Sequence, residues 1–198
     1  MSELMLFPLS SVVLPEGRMR LRIFEPRYKR MVTACLKNNT GFGVCLISNN
    51  GHGIPKNVSS VGTLVSIIDF ETLPDGMLGI TVTGMQKFNI RDVKLEQDGL
   101  RIANVDWLEN WAPSQLQQNH LDLQHRLQQV FEEFPEMGEL YSHRFFDDAA
   151  WVSQRWLEML PIECEHFELL VSQQDCRAAV EFLNSAFHAS DSIPKTKH

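Results

Sequence analysis

The sequence has no apolar run near the roughly 18–20 residues needed to cross a bilayer, and its opening stretch, Met1 to Pro8, holds an acidic Glu3 and no basic cluster. A membrane span and a secretory leader are therefore not expected, and a cytoplasmic location is. Cysteine is scarce, with four residues at positions 35, 45, 164 and 176 and no Cys-x-x-Cys pair. That argues against a disulfide framework or a structural zinc site, and the thiols read as reduced, small core residues. Lysine is scarce too, at seven among 198 residues. No Gly-x-x-x-x-Gly-Lys-Ser/Thr phosphate loop and no Ser–Lys nucleophile signature occur, so neither an ATPase nor a peptidase site has support. Catalytic residues, cofactors and metals are accordingly expected to be none.

What is present is an ordinary globular composition, 43% apolar and 22% charged, with a net charge of −7. The charge is unevenly spread. Residues 1–110 carry 12 Lys/Arg against 11 Asp/Glu, and residues 111–198 carry 6 against 14. The acidic second part argues against a chain built as a whole to bind nucleic acid.

The first part is strand-like. Leu4 to Leu9 and Val12 to Pro15 are short apolar segments, and Arg18 to Ile23 alternates arginines with Met19, Leu21 and Ile23, the period of a half-buried strand. Phe42–Ser48, Val61–Leu73, Met77–Val82, Lys87–Glu96 and Leu100–Leu108 complete a set of six or more antiparallel strands, most simply closed into a barrel. Leu73-Pro74-Asp75-Gly76 and Asp98-Gly99 have turn chemistry. One helix interrupts the strands. It starts at Pro26, carries Tyr28, Met31, Val32, Cys35 and Leu36 on one stripe, and ends near Asn38–Gly41, with Gly41 available beyond its C-terminus. Asn49 to Gly53 reads as a polar, mobile loop. From Pro113 the period is helical: Leu116 to Phe134, Val152 to Leu160, a short helix at Phe167–Val171, and one capped by Asp175 with Cys176, Ala179, Val180, Leu183 and Phe187 on its face. The expected domains are a barrel over 1–110, a helical bundle over 111–189 and a flexible tail over 190–198.

Leu6-Phe7-Pro8-Leu9, Val12-Val13-Leu14-Pro15 and Leu21-Arg22-Ile23-Phe24-Glu25-Pro26-Arg27-Tyr28 resemble the opening of the substrate-binding N-terminal domain of Lon proteases. The likeness continues through Phe42-Gly43-Val44, Val61-Gly62-Thr63, Asp75-Gly76 and Val82-Thr83-Gly84-Met85-Gln86-Lys87-Phe88, then Leu160-Pro161, Glu168-Leu169-Leu170, Arg177 and Leu183. The resemblance implies an α+β fold, a PUA-like β-barrel with one inserted helix followed by a C-terminal helical bundle. It also implies a non-catalytic module that holds unfolded or exposed polypeptide segments. The chain ends before an ATPase or protease domain would fit, so a stand-alone member is expected. Phe7, Pro8, Pro15, Phe24, Glu25, Pro26, Arg27 and Tyr28 then read as structural. Two departures stand out: Glu16 separates Pro15 from Gly17, and Lys87 replaces the family's usual arginine, a change expected to matter little.

Candidate contact residues remain. Arg18, Arg20 and Arg22 form a basic strand face that would suit an acidic partner, or RNA phosphates in an alternative reading; runs of this kind are more often solvated surface or edge protection. Phe145-Phe146 is a candidate exposed apolar pair for binding polypeptides, although burial between helices explains it equally well. His120 and His125 lie five apart and do not share a helical face. His143 with Asp147 and Asp148, and Cys164-Glu165-His166, lack established ligand spacing. Trp156 reads as core, and Trp107 and Trp111 as anchors where the two halves meet. The partners expected are polypeptide clients or a protease or chaperone, with nucleic acid second, no membrane, and the oligomeric state open.

Overall fold

A computed structural model describes residues 2–47 and 57–191. The Asn49–Gly53 loop and most of the tail, residues 192–198, lie outside it. The strands are β1 (Ser2–Leu9), β2 (Arg18–Ile23), β3 (Phe42–Ile47), β4 (Val58–Thr72), β5 (Leu78–Leu95) and β6 (Arg101–Trp107). The helices are α1 (Pro26–Asn38), α2 (Leu121–Glu133), α3 (Pro135–Gly138), α4 (Ala149–Met159), α5 (Cys164–Val171) and α6 (Arg177–Asp191). The fold is mixed α+β.

Two compact units share the chain. The first holds the residues up to Asn110 together with Ile162–Ser172; the second holds Trp111–Pro161 and the residues from Gln173 on. Helix α5 therefore groups with the strands, not with the other helices as the sequence reading drew it.

In the first unit the sheet order is β2-β5-β4-β3-β1-β6, and β6 pairs back onto β5, closing a ring. All ladders are antiparallel except β1–β3, which is parallel. The all-antiparallel expectation fails here for a topological reason. Between β1 and β3 the chain runs through β2 and α1, and a helical crossover of this length returns the strand in the same direction. The two strands expected on either side of Thr83 are one long β5. Gly84 permits this: a Cβ there would lie 2.0 Å from the Leu14 carbonyl oxygen. The Val12–Pro15 segment is consequently not a strand but a strap across β5, bridged at Pro15–Gly84. Glu16 donates its N–H to the Gly84 carbonyl at 2.9 Å and adopts φ 64°, a left-handed conformation that favours glycine.

Helix α1 begins as expected, with Pro26 in its first turn, but it ends on Asn39 in the left-handed region (φ 52°), before Gly41 is reached. Its buried face, Tyr28, Met31, Val32 and Cys35, packs with Phe7, Leu21, Ile23, Phe42, Ile80 and Val82 into one core. A second core around Phe88, Leu6, Ile90 and Val105 fills the ring.

The second unit is organised by aromatics. Trp156 donates Nε1–H to the Leu123 carbonyl at 3.0 Å and meets Phe187 edge to face at 4.7 Å. Buried Trp111 donates to the Gln173 carbonyl at 2.8 Å. The short helix α3 escaped the sequence reading because a single turn after Pro135 has no periodicity to detect.

Candidate functional site

The longest hairpin of the first unit carries an uneven surface. Beyond Val65, where pairing with β3 ends, β4 continues to Thr72 with β5 as its sole strand neighbour among the described residues. On the other side of β5 lies β2. The three strands make a blade, and the turn Leu73–Met77 joins β4 to β5; in it Leu73 donates to the Met77 carbonyl at 2.8 Å and Asp75 accepts the Met77 N–H at 3.0 Å.

Residues paired across a sheet share a face. One face carries the rows Leu21–Ile80–Phe70 and Ile23–Leu78–Thr72; the other carries Arg20–Thr81–Asp69 and Arg22–Gly79–Glu71. Leu21, Ile23 and Ile80 are buried under α1, but Phe70 at the outer end is 63% exposed. Ile68, at the bulge between Ile67 and Asp69, is 45% exposed, and Phe24, immediately after β2, is 60% exposed. These three large apolar side chains stand exposed at the blade.

The arginines expected to form a basic stripe occupy the polar face. Arg22 is ion-paired to Asp75, and its Nε approaches Met77 Sδ at 3.3 Å. Arg18 is half-buried and Arg20 exposed. Asp69 and Glu71 stand two strand spacings away on the same face, about 10 Å, close to the screening length in physiological salt. Their field offsets that of the arginines, so the face is mixed in sign instead of basic.

Phe145 and Phe146 belong to the second unit. Phe146 is half-buried, 5.5 Å from the Trp151 ring and 5.8 Å from Phe131. Phe145 lies 6.3 Å from Trp151 and is 46% exposed. The pair is thus one half-buried member and one exposed rim residue of an aromatic cluster, completed by Tyr141.

Of the motif residues, Phe7 stacks on Tyr28 at 4.1 Å, and Pro8 and Pro15 are buried. Glu25 pairs with Arg27 at 2.7 Å, and Arg27 also lies over the Tyr28 ring and donates to the Gly99 carbonyl at 3.1 Å. Pro26 is exposed. Lys87 is only 2% exposed and donates Nζ–H to the Val171 carbonyl at 2.8 Å, capping the C-terminus of α5. Burial lowers its pKa to about 8. Ser60 N–H donates to Glu168 Oε1 at 2.7 Å, a second polar tie between α5 and the strands. Among the described residues no group of three or more His, Cys, Asp or Glu is placed to hold a metal. No helix among them is long and apolar enough to cross a membrane.

Residues 3–174 match the model of the ATP-dependent protease La (LON) substrate-binding domain. The chain belongs to this family. A Lon N-terminal domain protein from Xanthomonas campestris superposes with a TM-score of 0.72 at 31% identity, covering 93% of this chain and 98% of that one. The N-terminal domain of Mycobacterium avium complex Lon protease shares the fold at 10% identity, with a TM-score of 0.62 over 97% of this chain and 100% of that one. Within the Lon domain described here, the exposed blade residues Ile68 and Phe70 escaped the sequence reading. The alternation Asp69-Phe70-Glu71 signalled a strand, but nothing local showed that β3 stops short of it.

Proposed function

We propose that this Lon-family domain recognises exposed, apolar segments of other polypeptides and holds them without turnover. It would do so from a PUA-like barrel followed by a helical bundle, and in the cytoplasm. The family assignment supports substrate recognition as the role. The observation that carries the surface is the uncovered set Phe24, Ile68 and Phe70 on the β2–β5–β4 blade. Phe145 on the aromatic cluster of the second unit is a further contact candidate. Contacts through apolar area persist in salt, whereas phosphate contacts weaken steeply as salt rises.

The test is fluorescence anisotropy with reduced, carbamidomethylated lysozyme as a permanently unfolded probe and native lysozyme as control. The expected result is binding of the unfolded form only, retained in high salt and weakened about tenfold by Phe24→Ser with Phe70→Ser, the loss of about 1.4 kcal/mol expected for partly buried aromatics. Equal binding of the native and unfolded probes would refute the proposal. Stronger binding to a short RNA, lost with salt, would transfer the role to Arg18, Arg20 and Arg22.

A further inference from the structure

The blade has two edges, and their chemistry is opposite. The β2 edge carries Arg18, Arg20 and Arg22; the β4 edge, Ser66–Thr72, carries Asp69 and Glu71. Residues 68 to 72 are all exposed, and β4 has no strand neighbour on that side among the described residues. An open edge presents backbone N–H and C=O groups to another strand; here the Phe70 N–H is held by the Asp69 carboxylate at 2.9 Å, a local contact that an incoming strand would replace.

We propose that the β4 edge accepts a partner polypeptide as an added β-strand, and that it selects segments alternating basic with apolar residues. This rests on the reading that the domain binds polypeptides. The alternation follows from the pleat. A strand laid beside Asp69–Thr72, beyond the bulge that interrupts β4 between Ile67 and Asp69, puts alternate side chains beside Asp69 and Glu71, where Lys or Arg is favoured. The intervening side chains fall beside Phe70, where apolar residues are favoured. Backbone hydrogen bonds supply sequence-tolerant affinity, and the two faces supply the preference.

A second copy is a poorer occupant. Two copies joined edge to edge by a two-fold axis would set Asp69 and Glu71 against the same carboxylates, or arginines against arginines, and like charges directly opposite are destabilising. The segment of this chain with the matching pattern, Arg18–Ile23, is already hydrogen-bonded to β5.

The experiment uses the full chain and a fluorescent peptide alternating arginine and leucine. Two further forms are N-methylated at the arginine amides or at the leucine amides, which blocks one row of backbone donors and leaves every charge in place. At least one methylated form is expected to bind more than tenfold more weakly than the parent. Asp69→Lys with Glu71→Lys, both at exposed positions, should weaken the arginine peptide about tenfold and gain affinity for a glutamate–leucine peptide, a reversal that misfolding cannot produce. Retention of affinity by both methylated forms overturns strand addition. If unfolded lysozyme still binds, the polypeptide-binding reading survives; if neither probe binds, both fall. Light scattering that grows with protein concentration and is abolished by the same double substitution would make another copy the occupant, and that overturns the proposal.

Discussion

Lys87 is charged in the unfolded chain up to its usual pKa of 10.5, but burial lowers that value to about 8 in the folded protein. Between these values the unfolded state binds more protons, so this residue makes stability rise with pH. From pH 7.5 to 9.5 the two pKa values give a gain of about 2 kcal/mol. Wild type alone would mask it. Burial raises the pKa of Cys35, Cys164 and Cys176, and that of Cys45 to about 12, so the folded state retains thiol protons that the unfolded state loses above pH 9, and stability falls there. Comparison with Lys87→Met at each pH cancels the thiols, because both chains carry them. Urea unfolding should show wild type gaining on the methionine variant by about 2 kcal/mol across that range. A difference that stays constant with pH would refute the argument, and so would one that shrinks.

Gly84→Ala sets a methyl group 2.0 Å from the Leu14 carbonyl oxygen; a cost of about 3 kcal/mol is expected, seen as a fall in Tm of roughly 10 °C. Glu16→Gly relieves a residue at φ 64° and should raise stability by about 1 kcal/mol in urea titration. With Cys35, Cys45 and Cys176 buried and all four thiol pKa values raised, a thiol reagent at pH 7 should react slowly with the native chain and at once in urea. Arg18→Ala, Arg20→Ala and Arg22→Ala together should leave high-salt binding of unfolded lysozyme unchanged, as anisotropy will show.

Elements governed by near neighbours were legible in the sequence. The turn at Leu73–Met77 follows from Pro, Asp and Gly in succession, α1 from Pro26 and one apolar stripe, α4 from its period, and α6 from its period and Asp175. The Val12–Pro15 strap was not legible, because its apolar run is identical to that of a strand and Gly84, seventy positions on, decides otherwise. The parallel β1–β3 ladder and the closure of β6 on β5 are pairings between distant segments that periodicity does not encode. The arginine face was legible as a strand face, but its neutralisation was not, since Asp69, Glu71 and Asp75 meet it only through β5. Lys87 reads as an ordinary surface lysine until α5 arrives to bury it.

That helix also fixes what can be removed from the chain. Unit membership changes three times, at 110/111, 161/162 and 172/173, so no single cut separates one unit from the other. A fragment ending at Asn110 would keep every strand yet lose α5, stripping Lys87 of the Val171 carbonyl and uncovering the surface that helix shields. The strand unit is complete only after the chain has made most of the second, and during synthesis α5 can dock on the strands only once residue 172 has been added.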